Sequence, residues 1–167
     1  MGIKASSPIA VEVKPFRSER GQEDEAKIGQ VRNGYGMATA KVLSTDGDAG
    51  EWIRRALTDE LVHAGFSVSQ SNAPSGAASA GRVGGTTVSG TVIEFMTDMG
   101  WQGYQTRIRV KCIVTRYGQE RLNKEFAVED GGSGITGSSG EYRDVLTAAL
   151  TKLMRKAVPD VIAAIER

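Results

Sequence analysis

Histidine and cysteine each occur once in this chain of 167 residues, as His63 and Cys112. A single cysteine excludes an intramolecular disulfide, and it leaves the redox compartment undefined. A single histidine excludes a metal site built on several imidazoles. Charge of one sign is also missing, because 21 Lys and Arg stand against 20 Asp and Glu for a net +1. That balance argues against a dedicated binder of nucleic acid or anionic membrane, though it leaves local patches open. No apolar run reaches the roughly 18 residues a membrane-crossing helix needs. No secretory signal is present at the start. What remains is ordinary for a globular protein: 40% apolar and 25% charged residues. The length suits one domain over residues 8–167, with residues 1–7 a disordered segment or an expression remnant.

Periodicity supplies the elements. Ile9, Val11 and Val13 alternate with Ala10, Glu12 and Lys14, which predicts a half-buried strand closed by Pro15. The charged stretch 17–27 reads as an exposed loop, and "AKIGQVRNGYG" and "MATAKVLS" have room for short strands. A helix is predicted from Ala49 to Ala64. Asp48 and Glu51 form an acidic capping box, Trp52, Ile53, Ala56, Leu57, Leu61 and Ala64 repeat at helical spacing, and Gly65 suits a left-handed cap. Phe66 and Val68 open a strand. The small, polar run Ser71–Gly85 lacks any apolar period and reads as a mobile loop.

Three strands then follow, over residues 87–97, 104–117 and 121–129. In the second, Tyr104, Thr106, Ile108, Val110, Cys112 and Val114 share one face. In the third, Leu122, Phe126 and Val128 point inward. A register that sets Lys111 opposite Glu125 also sets Arg107 opposite Glu129. Ser138 and Glu141 form a capping box for a last helix from about Gly140. Its stripe is Tyr142, Val145, Leu146, Ala149, Leu150, Leu153, Met154 and Ala157, with a kink or break expected at Pro159. The order β-α-β-β-β-β-α, with an irregular insert after the first strand, predicts an α+β fold: an antiparallel sheet of four to five strands with two helices packed on one face.

Chemistry is sparse. Gly132, Gly134 and Gly137 match the spacing of a dinucleotide fingerprint, and Gly132 to Ser139 falls one residue short of a phosphate loop. Ser138 stands where the phosphate-binding lysine belongs. The strand before the loop is the return arm of a hairpin, whereas the fingerprint needs a buried parallel strand in a βαβ unit. Residues 131–140 therefore read as a linker to a serine-capped helix. His63 has no nucleophile brought to it by any motif. Cys112 reads as a small buried residue. Glu19, Glu23, Asp24 and Glu25 lack calcium-loop spacing. Arg107, Arg109 and Lys111 form a basic stripe on the outer sheet face, without the aromatics that RNA-binding sheets use for stacking. No catalytic, cofactor-binding or metal-binding residue is assigned.

One stretch breaks the usual rule for turns. Met96, Met99, Trp101 and Tyr104 cluster around Gly100 and Gly103, where the chain must reverse between two strands. Turns face water and normally carry polar residues. Tryptophan, tyrosine and methionine are enriched where proteins meet. Met99, Trp101 and Tyr104 are therefore the candidate contact surface. The competing expectation folds the tip back, with Trp101 capping the core.

The segments "AKIGQVRNGYG", "GEWIRRALTDELVHAGFSV" and "VSGTVIEF" come in an order that resembles the YajG-type family of bacterial envelope lipoproteins. The matching features are Ile28-Gly29, Asn33-x-Tyr35-Gly36, the helix Trp52–Ala64 with Gly65-Phe66, and Val88-Ser89-Gly90, and the first strand fits as well. The resemblance implies a domain facing the periplasm and tethered to a bacterial membrane by an N-terminal lipid, whose cysteine is not among residues 1–7. It carries no catalytic pattern and no cofactor. Its implied partner is an unidentified envelope protein or a cell-wall or lipid component, with no nucleic acid and with membrane contact only through the lipid. The alternatives are a ligand- or anion-binding accessory domain using residues 131–140 and a nucleic-acid module using the basic stripe. The missing lysine gives a direct expectation: ATP, GTP and NAD at millimolar concentration leave the melting temperature unchanged. A stabilisation that vanishes in Gly134→Ala would contradict it.

Overall fold

In a computed structural model of the chain, residues 9–20, 27–32, 35, 37–43, 48–71, 85–101, 103–133 and 139–167 are described. The elements run β1 (Ala10–Ser18), β2 (Lys27–Arg32), β3 (Ala38–Leu43), α1 (Ala49–His63), β4 (Ser67–Gln70), β5 (Thr86–Gly100), β6 (Gly103–Arg116), β7 (Gln119–Gly132) and α2 (Ser139–Glu166). This is the expected α+β class, with a seven-stranded sheet rather than four or five strands. The two longest ladders, β5–β6 and β6–β7, are antiparallel, as is β2–β3. Three shorter pairings are parallel: β1 with β4, β1 with β5, and β2 with β5. Sequence periodicity reports which face a residue occupies and says nothing about which strand lies beside it. Those parallel neighbours were therefore absent from the sequence-based order.

β5 organises the sheet. One of its edges pairs with β6 along its whole length, from Thr86 opposite Arg116 to Gly100 opposite Gly103. Its other edge is shared. β1 takes the first part, up to Ser18 opposite Val92, and β2 takes Thr97–Met99. Arg20 closes the gap between them. Its Nη1 donates to the carbonyl oxygens of Lys27, at 2.6 Å, and Phe95, at 2.9 Å. The backbone N–H of Glu19 meets the Val92 carbonyl just before it.

Two prolines behave differently from expectation. β1 continues through Pro15 instead of closing there. Its ladder to β5 shifts register between Val13 and Phe16, and its ladder to β4 ends at Val13. The missing proline N–H therefore falls at an irregularity where the pairing is already interrupted. α2 likewise runs through Pro159 to Glu166 without ending there. A proline inside a helix removes one hydrogen bond and crowds the preceding turn, which together cost about 3 kcal/mol or more. Buried Met154 and Ala157 before the proline, and Val161, Ile162 and Ile165 after it, hold both halves against the core. α2 has no basic residue in its last turn. The guanidinium of Arg116, from β6, donates to the Ile165 carbonyl at 2.8 Å and supplies the positive charge that a helix C-terminus favours.

Other expectations hold residue by residue. Asp48 caps α1 by accepting from the Glu51 backbone N–H at 2.8 Å, and Gly65 takes the left-handed conformation at φ +95°. Ile53, Leu57 and Leu61 are buried. In β6, Thr106, Ile108, Val110, Cys112 and Val114 all face the core. Thr106 is satisfied there by Thr97, hydroxyl to hydroxyl at 2.9 Å. α1 and α2 touch each other and cover the same sheet face. Gly90 sits where β5, β6 and Phe16 crowd together, because a Cβ there would strike the Lys111 carbonyl and the Phe16 ring. Two expectations concern segments outside the described residues: the loop over 71–85, apart from its end residues, and the Ser138 cap of α2.

Arg20 yields a stability prediction. Hydrogen bonds to a charged donor contribute about 1.5–3 kcal/mol, and losing this one strands two carbonyls at the gap. Arg20→Met should lower unfolding free energy by roughly 2–3 kcal/mol in guanidinium titration. A change below about 0.5 kcal/mol, the scale of an ordinary surface substitution, would mean the gap needs no bridge.

Candidate contact surface

The topology gives the sheet two unlike ends. β2 runs parallel to β5 with Val31 beside Met99, so the β2–β3 connection lies beside the β5–β6 turn. Tyr104 pairs with Gly132, which brings the end of β7 to the same place. Ile9 and β1 enter at the opposite end, level with Ser67 and Thr86. At about 3.3 Å per residue, β5 alone separates the two ends by roughly 45 Å.

The three candidate residues separate in this arrangement. Trp101 stands on the turn, 78% exposed, so it does not cap the core. Met99 is only 4% exposed and belongs to the buried face with Thr97 and Phe95, which removes it from any surface. The alternation of β5 explains this, since its side chains change face at each residue and the strand extends to Gly100. Tyr104 is half-buried, its ring so close to Gly132 that a Cβ there would meet Cε1 at 2.8 Å. Two further side chains join Trp101 at this end: Tyr35, 91% exposed, and Met37, 60% exposed. The signal for them was present in "NGYGM", which sets an aromatic residue and a methionine among glycines just as "MGWQGY" does. It was missed because no strand pairing joined the two segments before the fold was known.

Elsewhere the described side chains are engaged or plain. Lys111 does stand opposite Glu125, and Arg107 opposite Glu129. The ion pairs, however, run to other partners. Arg107 meets Glu94 and Asp98, each at 3.4 Å, and Arg109 meets Glu125 at 3.4 Å. The basic stripe is thus interleaved with carboxylates, on a surface where each pair contributes about 0–1 kcal/mol. His63 is exposed at the end of α1. Among the described residues no cluster of three His, Cys, Asp or Glu could hold a metal ion. Glu23, Asp24 and Glu25 lie outside them. Gly131, Gly132 and Ser133 are described, residues 134–138 are not, and β7 pairs antiparallel with β6. The Tyr142 hydroxyl reaches the Gln30 carbonyl at 3.4 Å, and burial, then the charge of Asp98, raises its pKa. No helix among the described residues is long and apolar enough to cross a membrane.

No family model matches the chain, and no curated protein matches it. Solved structures do. A Xanthomonas campestris protein of the DUF330 family is 12% identical, with a TM-score of 0.66 over 95% of this chain and 86% of its own. A hypothetical protein from Chlamydia trachomatis is 10% identical, with a TM-score of 0.60 over 95% and 98%. A lipoprotein from Neisseria meningitidis is 15% identical, with a TM-score of 0.43 over 89% and 99%. At identities this low, the Xanthomonas and Chlamydia structures show a shared fold alone.

Cys112 gives the one titration expectation. Burial pushes its thiol from 9.0 up to about 12, so thiolate is scarce at pH 8. A disulfide reagent should label it only after denaturation. The folded state keeps the proton while the unfolded chain loses it, so stability should fall as pH rises from about 9 toward 12. The slope contributed by this thiol should disappear in Cys112→Ala. Rapid labelling of the native protein at pH 8 would show that the sulfur is accessible.

Proposed function

We propose that this chain is a non-enzymatic, lipid-anchored domain of the bacterial envelope that faces the periplasm. It works by binding another envelope component through the end of the sheet that carries Trp101. The carrying observation is the exposure of that indole on a two-residue reversal, where burial gains nothing for the fold. The ordered motifs from Ile28-Gly29 to Val88-Ser89-Gly90 support the envelope assignment, and the likeness in fold to other bacterial proteins is consistent with it. A binding role also suits the chemistry. The one thiol is buried, the one imidazole is exposed at a helix end, and Arg107 and Arg109 on the open sheet face pair with carboxylates.

Trp101→Ala separates a contact role from a folding role. Truncating a buried tryptophan costs about 3–5 kcal/mol, and truncating an exposed one about 0.5 kcal/mol or less. The variant should unfold at the wild-type denaturant midpoint. A photo-crosslinker at position 101 in cells should label an envelope component that one at Arg121, exposed on β7, does not. Equal labelling from both positions, or a large drop in midpoint, would remove the contact surface.

A further inference from the structure

The outermost strands of a sheet are open to pairing with other chains. Here those strands are β3, β4 and β7. β4 has four residues and β3 six, whereas β7 has 14, so its edge is the long one among the described residues. Antiparallel pairing leaves every second residue of such a strand with its backbone N–H and C=O turned outward. On β7 the Gly131 N–H marks that set, because it bonds the Asp130 carboxylate at 3.1 Å. The unbroken register from Gly132 opposite Tyr104 to Leu122 opposite Val114 then puts Asn123, Glu125, Ala127 and Glu129 in the same set. Side chains of α2 reach this edge. Lys156 Nζ donates to the Ala127 carbonyl at 2.9 Å. Lys152 Nζ lies 2.8 Å from the same Asp130 oxygen that accepts the Gly131 N–H. One turn beyond Lys156, Asp160 meets Lys124 at 2.7 Å. Lys152, Lys156 and Asp160 recur at every fourth residue, so they share one side of α2.

We propose that this stripe guards the β7 edge against strand addition by a second copy of the chain. Exposed ion pairs add little to stability, so their regular placement along one strand calls for another account. A strand added to β7 needs the Ala127 carbonyl and the Gly131 N–H. α2 holds the first directly and the second through Asp130. The strand's own sequence points to the occupant being excluded. Antiparallel pairing of β7 with its copy about Phe126 sets Asn123 opposite Glu129, Glu125 opposite Ala127, Lys124 opposite Val128 and Arg121 opposite Gly131. No like charges face each other in that register, so charge does not hold two copies apart. The backbone groups themselves have to be withheld, and lysine is a residue that natural sheet edges use for this. Its ammonium carries three donors on a flexible stem, which lets it take a strand carbonyl from a neighbouring helix. The guard does not depend on what the Trp101 end binds.

The test compares the purified chain with its Lys152→Met/Lys156→Met variant, which loses both ammonium groups and keeps apolar stems of similar length. Sedimentation equilibrium should show the wild type as a monomer through the micromolar range. The double variant should dimerise, with an association constant about tenfold higher or more. Hydrogen exchange should place the new protection on the amides of Asn123, Glu125, Ala127 and Glu129, with β5 and both helices unchanged. Ala127→Pro added to the double variant should return it to monomer, because that N–H faces away from β6 and a partner strand would need it. Where the proline variant does not fold, a labelled peptide of residues 121–131 gives the same reading. It should bind the double variant about tenfold or more tightly than it binds the wild type. A double variant that stays monomeric and ignores the peptide would overturn the guard. So would a dimer that Ala127→Pro leaves intact, or a wild-type dimer already protected at these amides.

Discussion

A β-strand has two edges, and the architecture here follows from how β5 divides one of them. β6 occupies one side completely. On the other, β1 and β2 arrive in succession from the same stretch of chain and leave a gap of a few residues between their ladders. An open carbonyl in that gap would cost free energy comparable to a lost hydrogen bond. Arg20 removes the cost by bonding the Phe95 carbonyl on β5 and the Lys27 carbonyl at the start of β2 with one guanidinium nitrogen. This fixes where β2 can begin. The start of β2 in turn fixes which residue of the β2–β3 connection lies beside the β5–β6 turn. Tyr35 and Trp101 stand at the same end of the sheet because β2 pairs with β5 in this register.

Much of this was legible, and the boundary of legibility has a physical cause. Features written within one element could be read directly. The Asp48 cap and Gly65 bracket α1, the alternation from Thr106 to Val114 names the buried face of β6, and the β6–β7 hairpin places Lys111 opposite Glu125. Features that depend on a non-local neighbour could not be read. Pro15 looks like a strand end until the interruption in the β1–β5 ladder explains why no N–H is needed. Pro159 looks like a helix break until the residues buried on both sides of it are seen. At the candidate surface, Trp101 was legible because an indole in a turn is anomalous by itself. Met99 was misplaced because the sheet extends to Gly100, and Tyr35 was missed because its significance comes from a strand pairing.

The open sheet face shows how register and ion pairing differ. The opposed charges lie where the hairpin alignment puts them, yet Arg107 turns toward β5 and Arg109 takes Glu125. Long side chains on a twisted sheet reach diagonal neighbours as easily as direct ones. The register is set by the apolar face beneath, where a one-residue slip would expose Val110 and Phe126. The charges are passengers on that alignment.

The β2–β3 hairpin is joined to the main sheet by three residue pairs, Gly29–Thr97 to Val31–Met99, together with Arg20, the Tyr142 hydroxyl on Gln30 and the buried side chain of Ile28. A unit held so lightly opens locally while the β5–β6–β7 ladders and both helices stay closed. Its amides therefore belong to a faster class of hydrogen exchange than those of β6. Each opening briefly bares the edge of β5 at Thr97–Met99, which can template a strand from another chain. Such an opening also has to draw Ile28 of β2 out of the core, so Tyr35 and Met37 shift only together with that loss of packing.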